Sequence, residues 1–226
     1  MTENEHRPLA SEALRALPVF PLPRVVFFPG SVLPLHVFEP RYRDMMEHCV
    51  SADGHRAMAI ATLADGWEDD YEGNPPIHDI ACAGRIVEHQ RRPDGRFDLV
   101  LAGVHRVRLA ELPMTEPLRF RRADATLLED RSSPAVQQLL PSVMATAASV
   151  AALVRETYPD FTLGLDDDPS PGLLADRIAD RLVTETSARR RLLEAQDVKV
   201  RLAHLVDELV ELLAHLRGQG HGGALH

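Results

Sequence analysis

Lysine is nearly absent from this chain of 226 residues: Lys199 is the one lysine among 25 basic residues, and the other 24 are arginines. A Walker-type phosphate loop needs a glycine-rich turn that runs directly into lysine and then into serine or threonine. Lys199 lies in the run Asp197-Val-Lys-Val200, which contains no glycine. A serine–lysine dyad or a Schiff-base lysine would also have to use this one residue. The sequence therefore predicts neither a nucleotide-binding loop nor a lysine-dependent enzyme.

Cysteine is scarce as well, and the familiar catalytic signatures are missing. Cys49 and Cys82 form no Cys-x-x-Cys pair and are too few for a disulfide framework. The charged start of the chain, residues 1–5, has no apolar signal core. The sequence contains no GxSxG elbow, no HExxH pair and no GxGxxG turn that follows a strand. We expect a cytoplasmic protein with no catalytic residues and no cofactor.

Nucleic acid and metal are both poor candidates for partners. The formal net charge of −9 opposes a nucleic-acid-binding surface, which needs a clustered basic field. The densest group of possible metal ligands is His48, Cys49, Asp53 and His55, and it shows no recurring ligand spacing. Ordinary polar residues at a helix end explain this group more simply, so we predict no metal site.

One long uncharged stretch covers residues 132–154 and could span a bilayer by its length. It contains two glutamines, two prolines and several hydroxyl side chains, and alanine supplies much of the rest. This composition favours the buried helix of a bundle over a membrane span. We therefore expect no membrane association.

The pattern of apolar residues divides the chain into four segments. Residues 1–16 are polar and predict a flexible leader. Residues 17–130 combine short apolar runs, many prolines and an Asp94-Gly95 hairpin signal, and they predict a β-rich unit with one helix that starts at Pro40. The apolar period then changes from 2 to 3.6, which predicts a helical bundle over residues 131–217. Residues 218–226 predict a disordered tail. The fold class is α+β.

The last helix has the most regular pattern. Its apolar residues follow heptad spacing over nearly three repeats: Val198, Leu202, Leu205, Leu209, Leu212 and Leu216. Three further apolar positions, Val206, Val210 and Leu213, widen the stripe and favour a bundle helix. The alternative is a homodimer through this helix.

Two groups of residues are candidates for contact with a polypeptide. The run that contains Pro21, Leu22, Phe27 and Phe28 is apolar and interrupted by proline, which is typical of an edge strand that accepts an extended peptide. The alternative is that these side chains fill the β unit. Glu39, Arg41 and Arg43 are candidates for surface contacts, because Tyr42, Met45 and Met46 form the inward face of the same helix. The alternative for Arg41 is an ion pair with Glu39 or with an internal carboxylate.

Two other groups are weaker candidates. Trp67 and Tyr71 lie in an acidic loop and could anchor a partner, although local packing of the loop explains them as well. Arg119, Arg121 and Arg122 form a dense basic patch in a predicted strand. Because they alternate between strand faces, we expect surface charge there and not a shared ligand.

Long motifs in the first unit carry a family resemblance. The run from Leu17 to Arg43 reads LPVFPLPRVVFFPGSVLPLHVFEPRYR, and it is followed by AGRIVE at 83–88, PDGR at 93–96 and LAGVHR at 101–106. These runs resemble the amino-terminal domain of Lon-type ATP-dependent proteases, and the resemblance covers residues 17–217. It implies a PUA-like, mostly antiparallel β pseudo-barrel with one helix, followed by an all-α helical bundle. It also implies recognition of unfolded or tagged polypeptides.

The departure from the full protease shapes the expected function. In that family the domain leads into an ATPase module and a Ser–Lys peptidase, and these 226 residues show motifs of neither. We therefore expect a stand-alone, non-catalytic polypeptide-binding module that acts as an adaptor or a holder of unfolded segments. The alternatives are a PUA-like RNA-binding protein and a partner subunit of a separate ATP-dependent protease.

Overall fold

A computed structural model describes residues 8–70, 73–165 and 169–220. The chain forms two compact units that divide between Leu128 and Glu129. The first unit is built on β-strands and the second on helices, which confirms the predicted α+β class. Tyr71 and the part of the predicted tail beyond Gly220 lie outside the described residues.

Six strands form one sheet in the first unit. They are β1 (Leu17–Leu22), β2 (Val32–Val37), β3 (Ala57–Thr62), β4 (Ile80–Arg91), β5 (Phe97–Glu111) and β6 (Arg121–Leu127). Their order is β2-β5-β4-β3-β1-β6, and β6 also pairs with β5. The β1–β3 pair is parallel and the other pairs are antiparallel. Five strands therefore close into a barrel, and β2 is attached along the first half of β5.

The sheet is buried on both faces because alternate residues of its strands enter two different apolar clusters. In β3, Met58 and Ile60 pack with the inward face of helix α1 (Pro40–Val50). Ala57, Ala59 and Ala61 enter the second cluster, on the opposite face of the strand. The inward residues predicted for α1, which include Met45 and Met46, are buried as expected.

Strand β1 is not an edge strand, in contrast to the expectation from its prolines. It pairs with β3 on one side and with β6 on the other, and Pro18 and Pro21 both lie in register with a partner residue. Loss of a ladder hydrogen bond costs about 1 kcal/mol, whereas burial of a side chain such as Phe20 stabilises by about 2–3 kcal/mol. Burial therefore outweighs the missing N–H groups, and the strand lies inside the sheet.

The segment before β1 also departs from the predicted flexible leader. Residues 8–16 contain a short 3-10 helix, Ser11–Leu14, and the side chains of Leu9 and Leu14 are buried in the second apolar cluster. The Leu9 N–H donates to Nε2 of His105 at 3.2 Å. The leader looks polar as a whole, but its spaced apolar residues cover one face of the sheet.

The second unit contains four helices in its described residues. They are α2 (Val136–Thr157), α3 (Pro171–Leu182), α4 (Thr186–Glu194) and α5 (Val198–Gly220). Two of these helices have side-chain N-caps: the Leu173 N–H donates to Ser170 Oγ, and the N–H groups of Lys199 and Val200 donate to Oδ1 of Asp197. The last helix continues through Gly218, where the sequence predicts its end, because helical backbone tolerates glycine at a modest cost.

The apolar stripe of α5 packs inside its own unit over its first half. Val198, Leu202, Leu205 and Leu209 are buried, whereas Val210 is 51% exposed. This arrangement favours the bundle interpretation for the first half of the helix. A homodimer through the second half stays a prediction.

Helix α2 is long and apolar enough to cross a membrane by length and composition alone. One of its faces, which includes Val143, Ala147 and Val150, is buried, and the helix packs against α5 and α3. A core helix of a bundle passes the same length test. The packing agrees with the predicted bundle helix.

Candidate functional site

An open pocket of about 470 Å³ lies in the β unit, and we call it the arginine pocket. Its lining combines apolar walls with three guanidinium groups, and no carboxylate belongs to the lining among the residues that the structure describes. The lining residues are Pro21, Arg41, Tyr42, Leu63, Gly73, Asn74, Pro75, Met114, Arg119, Phe120 and Arg121.

Four elements place the apolar walls of the pocket. Pro21 lies near the end of β1, Tyr42 in the first turn of α1, Leu63 directly after β3, and Phe120 directly before β6. The Tyr42 ring packs 4.5 Å from the ring of Phe20, which holds it against the core. Buried walls of this kind give the pocket a fixed shape.

Two of the arginines are held by bonds to carboxylates and to backbone carbonyls. Arg121 is buried; its Nε donates to Oε2 of Glu111 at 2.8 Å, and its Nη1 donates to the Pro75 carbonyl at 2.6 Å. Arg41 donates from Nε to Oε2 of Glu39 at 3.1 Å and from Nη1 to the Gly73 carbonyl at 3.2 Å. These bonds fix the guanidinium positions before any ligand arrives.

The third arginine, Arg119, is exposed at the pocket. Within residues 8–70, 73–165 and 169–220 it has no ion pair with a carboxylate. A guanidinium without a carboxylate partner can donate to an incoming anion without first breaking a bond. Arg119 is therefore the residue best placed to receive a charged group.

Phe120, which lines the pocket, also contacts a histidine whose neutral form is favoured. The ring of His48 lies 5.4 Å from the ring of Phe120. Burial, together with the nearby charges of Arg122 and His55, holds the pKa of His48 below its ordinary value. The positive charge at the pocket therefore comes from arginine.

Of the residues proposed from sequence for polypeptide contact, the structure brings only a few to this pocket. Pro21 and Arg41 line it, and Glu39 holds Arg41 in place. Leu22 packs against the apolar core, and Arg43 extends towards the β4–β5 hairpin, where its Nη1 donates to the Asp94 carbonyl. Trp67 is half-buried in the 3-10 helix Trp67–Asp70.

Phe27 and Phe28 are the clearest corrections among the proposed contact residues. Their side chains are buried, with 3% and 0% of their surface exposed. They fill the β unit, which is the alternative that the sequence left open, and no partner can reach them in the folded chain. The apolar run that contains Phe27 and Phe28 therefore indicates core packing and not a peptide-binding edge.

Arg119 and Arg121 are the functional candidates that the sequence interpretation missed. They were expected to be surface charge, but both line the pocket. Strand β6 begins only at Arg121, so Arg119 and Phe120 precede it and do not follow its alternation of faces. The alternation of residues in the sequence therefore gives no signal that places these two arginines at a pocket.

The free edge of the sheet lies at β2. Among the described residues, β2 pairs only with β5. The Gly103 N–H donates to the Ser31 carbonyl, so the backbone groups of Ser31 face β5. In an antiparallel pair alternate residues face the partner strand, and the backbone groups of Val32, Pro34 and His36 therefore point away from β5. Pro34 removes the central donor of that row, which is a common way to blunt an edge. This edge is therefore a weaker candidate than the pocket.

No group of three histidine, cysteine or acidic side chains close enough to hold a metal ion occurs in the described parts of the chain. Cys49 and Cys82 are buried free thiols. Burial raises the pKa of Cys49 to about 12, which suppresses its thiolate form.

The fold is thus a β-barrel joined by sequence to a helical bundle, and the β unit carries an apolar pocket lined by arginines. The family model of the ATP-dependent protease La (LON) substrate-binding domain matches residues 16–211. The chain belongs to this family, as the sequence motifs predicted.

Curated relatives and solved structures agree with the family. The chain is 30% identical to Lon protease 2 of Myxococcus xanthus over 199 residues, 87% of this chain and 23% of that protein. It is 27% identical to the Lon protease of Heliobacterium modesticaldum over 198 residues, 88% of this chain and 24% of that protein. The chain thus spans about a quarter of the length of these relatives.

Two solved structures share the fold. The N-terminal domain of Lon protease from Mycobacterium avium complex aligns with a TM-score of 0.64 at 20% identity, covering 86% of this chain and 98% of that one. A Lon N-terminal domain protein from Xanthomonas campestris aligns with a TM-score of 0.57 at 23% identity, covering 84% and 96%. At these identities the similarity establishes the fold.

Proposed function

We propose that this chain is a non-catalytic polypeptide-binding module that recognises unfolded or tagged segments through the arginine pocket. The observation that carries the proposal is the pocket itself, a concave apolar surface with a few fixed polar donors, which is the usual form of a binding site. Membership of a substrate-binding domain family supports the same function.

The cellular setting of this function is part of the proposal. The module acts in the cytoplasm as an adaptor or holder, and the alternative is that it delivers segments to a separate ATP-dependent protease. The two free thiols, both buried, suit a reducing compartment.

RNA binding, the other alternative from the sequence, is less well supported by the charges of the β unit. A basic face needs arginines that are free of carboxylates. Six arginines of this unit are paired with acidic residues: Arg41 with Glu39, Arg91 with Glu47, Arg92 with Asp98, Arg96 with Asp94, Arg108 with Asp79, and Arg121 with Glu111. A salt-sensitive complex with structured RNA would favour RNA binding over our proposal.

The proposal is tested by titrating a fluorescently labelled, reduced and alkylated protein with the full chain. We expect saturable binding that weakens about five-fold or more in Met114→Ser, because this exposed residue lines the pocket. The matched control is Met144→Ser, the same substitution at an exposed position of α2. No saturable binding, or an equal loss in both variants, would overturn the proposed function.

A further inference from the structure

We propose that the arginine pocket binds the free carboxyl terminus of a polypeptide whose last side chain is apolar. This inference rests on the proposed function and names the ligand class for the same site. It follows from the charge, the hydrogen-bonding capacity and the shape of the pocket.

The charge of the lining favours an anion. Among the described residues, Arg41, Arg119 and Arg121 line the pocket and no acidic side chain does. Arg41 pairs with Glu39 and Arg121 with Glu111, both outside the lining, whereas Arg119 has no carboxylate partner in the described parts of the chain. In a chain with a net charge of −9, a pocket of this sign is a local exception and selects a negatively charged group.

The hydrogen-bonding groups favour a carboxylate over an internal peptide segment. Guanidinium groups are donors without acceptor capacity, and an ionised carboxylate is an acceptor without donors. An internal segment presents an N–H beside every carbonyl, and the carbonyls of Gly73 and Pro75 each already accept one hydrogen bond, from Arg41 and from Arg121. A terminal carboxylate presents two acceptor oxygens where an internal segment continues with another N–H group, so it matches the guanidinium donors more closely.

The apolar walls favour a side chain directly beside that carboxylate. Pro21, Tyr42, Leu63 and Phe120 form the interior, and a volume of about 470 Å³ lies within the range of small-ligand pockets. In the last residue of a chain, the apolar side chain and the carboxylate are attached to one Cα atom. That short distance fits a pocket whose walls and guanidinium groups surround the same space.

The test compares two labelled peptides of one sequence that ends in leucine, one with a free carboxyl terminus and one with a terminal amide. Binding of each to the full chain is measured by fluorescence anisotropy. We expect the amide to bind about 10-fold more weakly or worse, since hydrogen bonds to charged groups contribute on that scale. A third peptide, identical but ending in serine with a free carboxylate, is also expected to bind more weakly.

Variants then assign the preference to the pocket. Arg119→Ala is expected to reduce the difference between acid and amide, because it removes the guanidinium that has no carboxylate partner in the described chain. Arg15→Ala is the matched control, since Arg15 is also exposed in the β unit and lies outside the pocket lining. An unchanged difference in Arg119→Ala would overturn the inference.

The outcomes separate this inference from the proposed function. Equal binding of the acid and the amide, together with binding of the unfolded protein, overturns the carboxyl-terminal preference and leaves the polypeptide-binding function in place. Equal binding of an amidated peptide with an internal aspartate beside leucine also overturns the preference. Failure of both peptides and of the unfolded protein overturns the function itself.

Discussion

Nη1 of Arg201 lies 3.3 Å from a carboxylate oxygen of Asp176, and both side chains are buried in the helical unit. The same guanidinium donates to the carboxylate of Asp130 and to the carbonyls of Gly172 and Ala195. One side chain of α5 thus binds the start of the unit, α3 and the segment before α5. The sequence offered no sign of this role, since Arg201 looks like one more helical arginine.

Arg201→Met is expected to lower the free energy of unfolding of the helical unit by about 3–5 kcal/mol, because it removes the guanidinium that pairs with the buried carboxylate of Asp176. Chemical denaturation of the full chain, followed by far-ultraviolet circular dichroism, measures the change. The control is Arg191→Ala, which removes an exposed ion pair with Glu208 and should cost less than about 1 kcal/mol.

A double variant, Arg201→Met with Asp176→Leu, separates pairing from packing. We expect it to regain part of the lost stability, because two apolar side chains replace the buried pair and leave no uncompensated charge in α3. If the double variant is as unstable as the sum of the two single variants, the pair is not what connects these helices.

The two phenylalanines Phe28 and Phe38 should differ sharply in their effect on stability. Phe28 is fully buried, so Phe28→Ala is expected to cost about 3–5 kcal/mol. Phe38 is 58% exposed, and Phe38→Ala should change stability by no more than about 0.5 kcal/mol.

Trp67, the one tryptophan of the chain, reports unfolding of the β unit by fluorescence. Similar costs for both substitutions would contradict the burial of Phe28.

Much of the fold is predictable because its signals are local. The first-turn proline and apolar spacing of α1, the Asp94-Gly95 hairpin and the Asp197 cap all act over a few residues. The pairing of β1 is not local, because its register partners include Ala59 and Arg121. No short pattern distinguishes a strand with two such partners from an edge strand.

The candidate site was less predictable for the same reason. The pocket combines residues from six separate stretches of the chain, and of its lining residues the sequence indicates only Pro21 and Arg41 as contact candidates. Arg119 and Arg121 reach it because β6 starts later than the apolar pattern suggested. The start of a strand depends on its partners, which the sequence alone does not reveal.

Acidification should weaken the β unit through His105. Burial, with a smaller contribution from Arg85, holds the pKa of His105 below its ordinary value of 6.5, and its Nε2 accepts from the Leu9 N–H. The unfolded chain therefore binds more protons as the pH falls through 6.5. The neutral His105 ring therefore contributes fully to the free energy of unfolding above about pH 6.5. As the pH falls from there, this contribution decreases until it is lost below the lower pKa that His105 has in the folded chain.

Nuclear magnetic resonance titration of the His105 ring and urea denaturation between about pH 5 and pH 8 check this expectation. His105→Gln should show a smaller dependence of stability on pH than the natural chain, because the titrating group is gone. Titration of His105 at or above its ordinary value would show that the neutral ring is not the form that accepts from Leu9.

Gly103 is expected to be the least replaceable glycine in the β unit. A Cβ atom built there would stand 2.1 Å from the Phe28 carbonyl oxygen, at the point where Gly103 exchanges hydrogen bonds with Gly30 and Ser31. Gly103→Ala should therefore lower the free energy of unfolding by about 3 kcal/mol. The two nearest atoms, the carbonyl oxygen and carbon of Phe28, belong to the backbone and cannot move aside as a flexible side chain can. Gly218→Ala in α5, where the added carbon meets nothing within 4 Å, is the control and should be neutral or stabilising by up to about 1 kcal/mol. Equal stability of the two variants in urea denaturation would mean that the segment before β2 can shift away from β5, and that this contact does not hold β2 against the barrel.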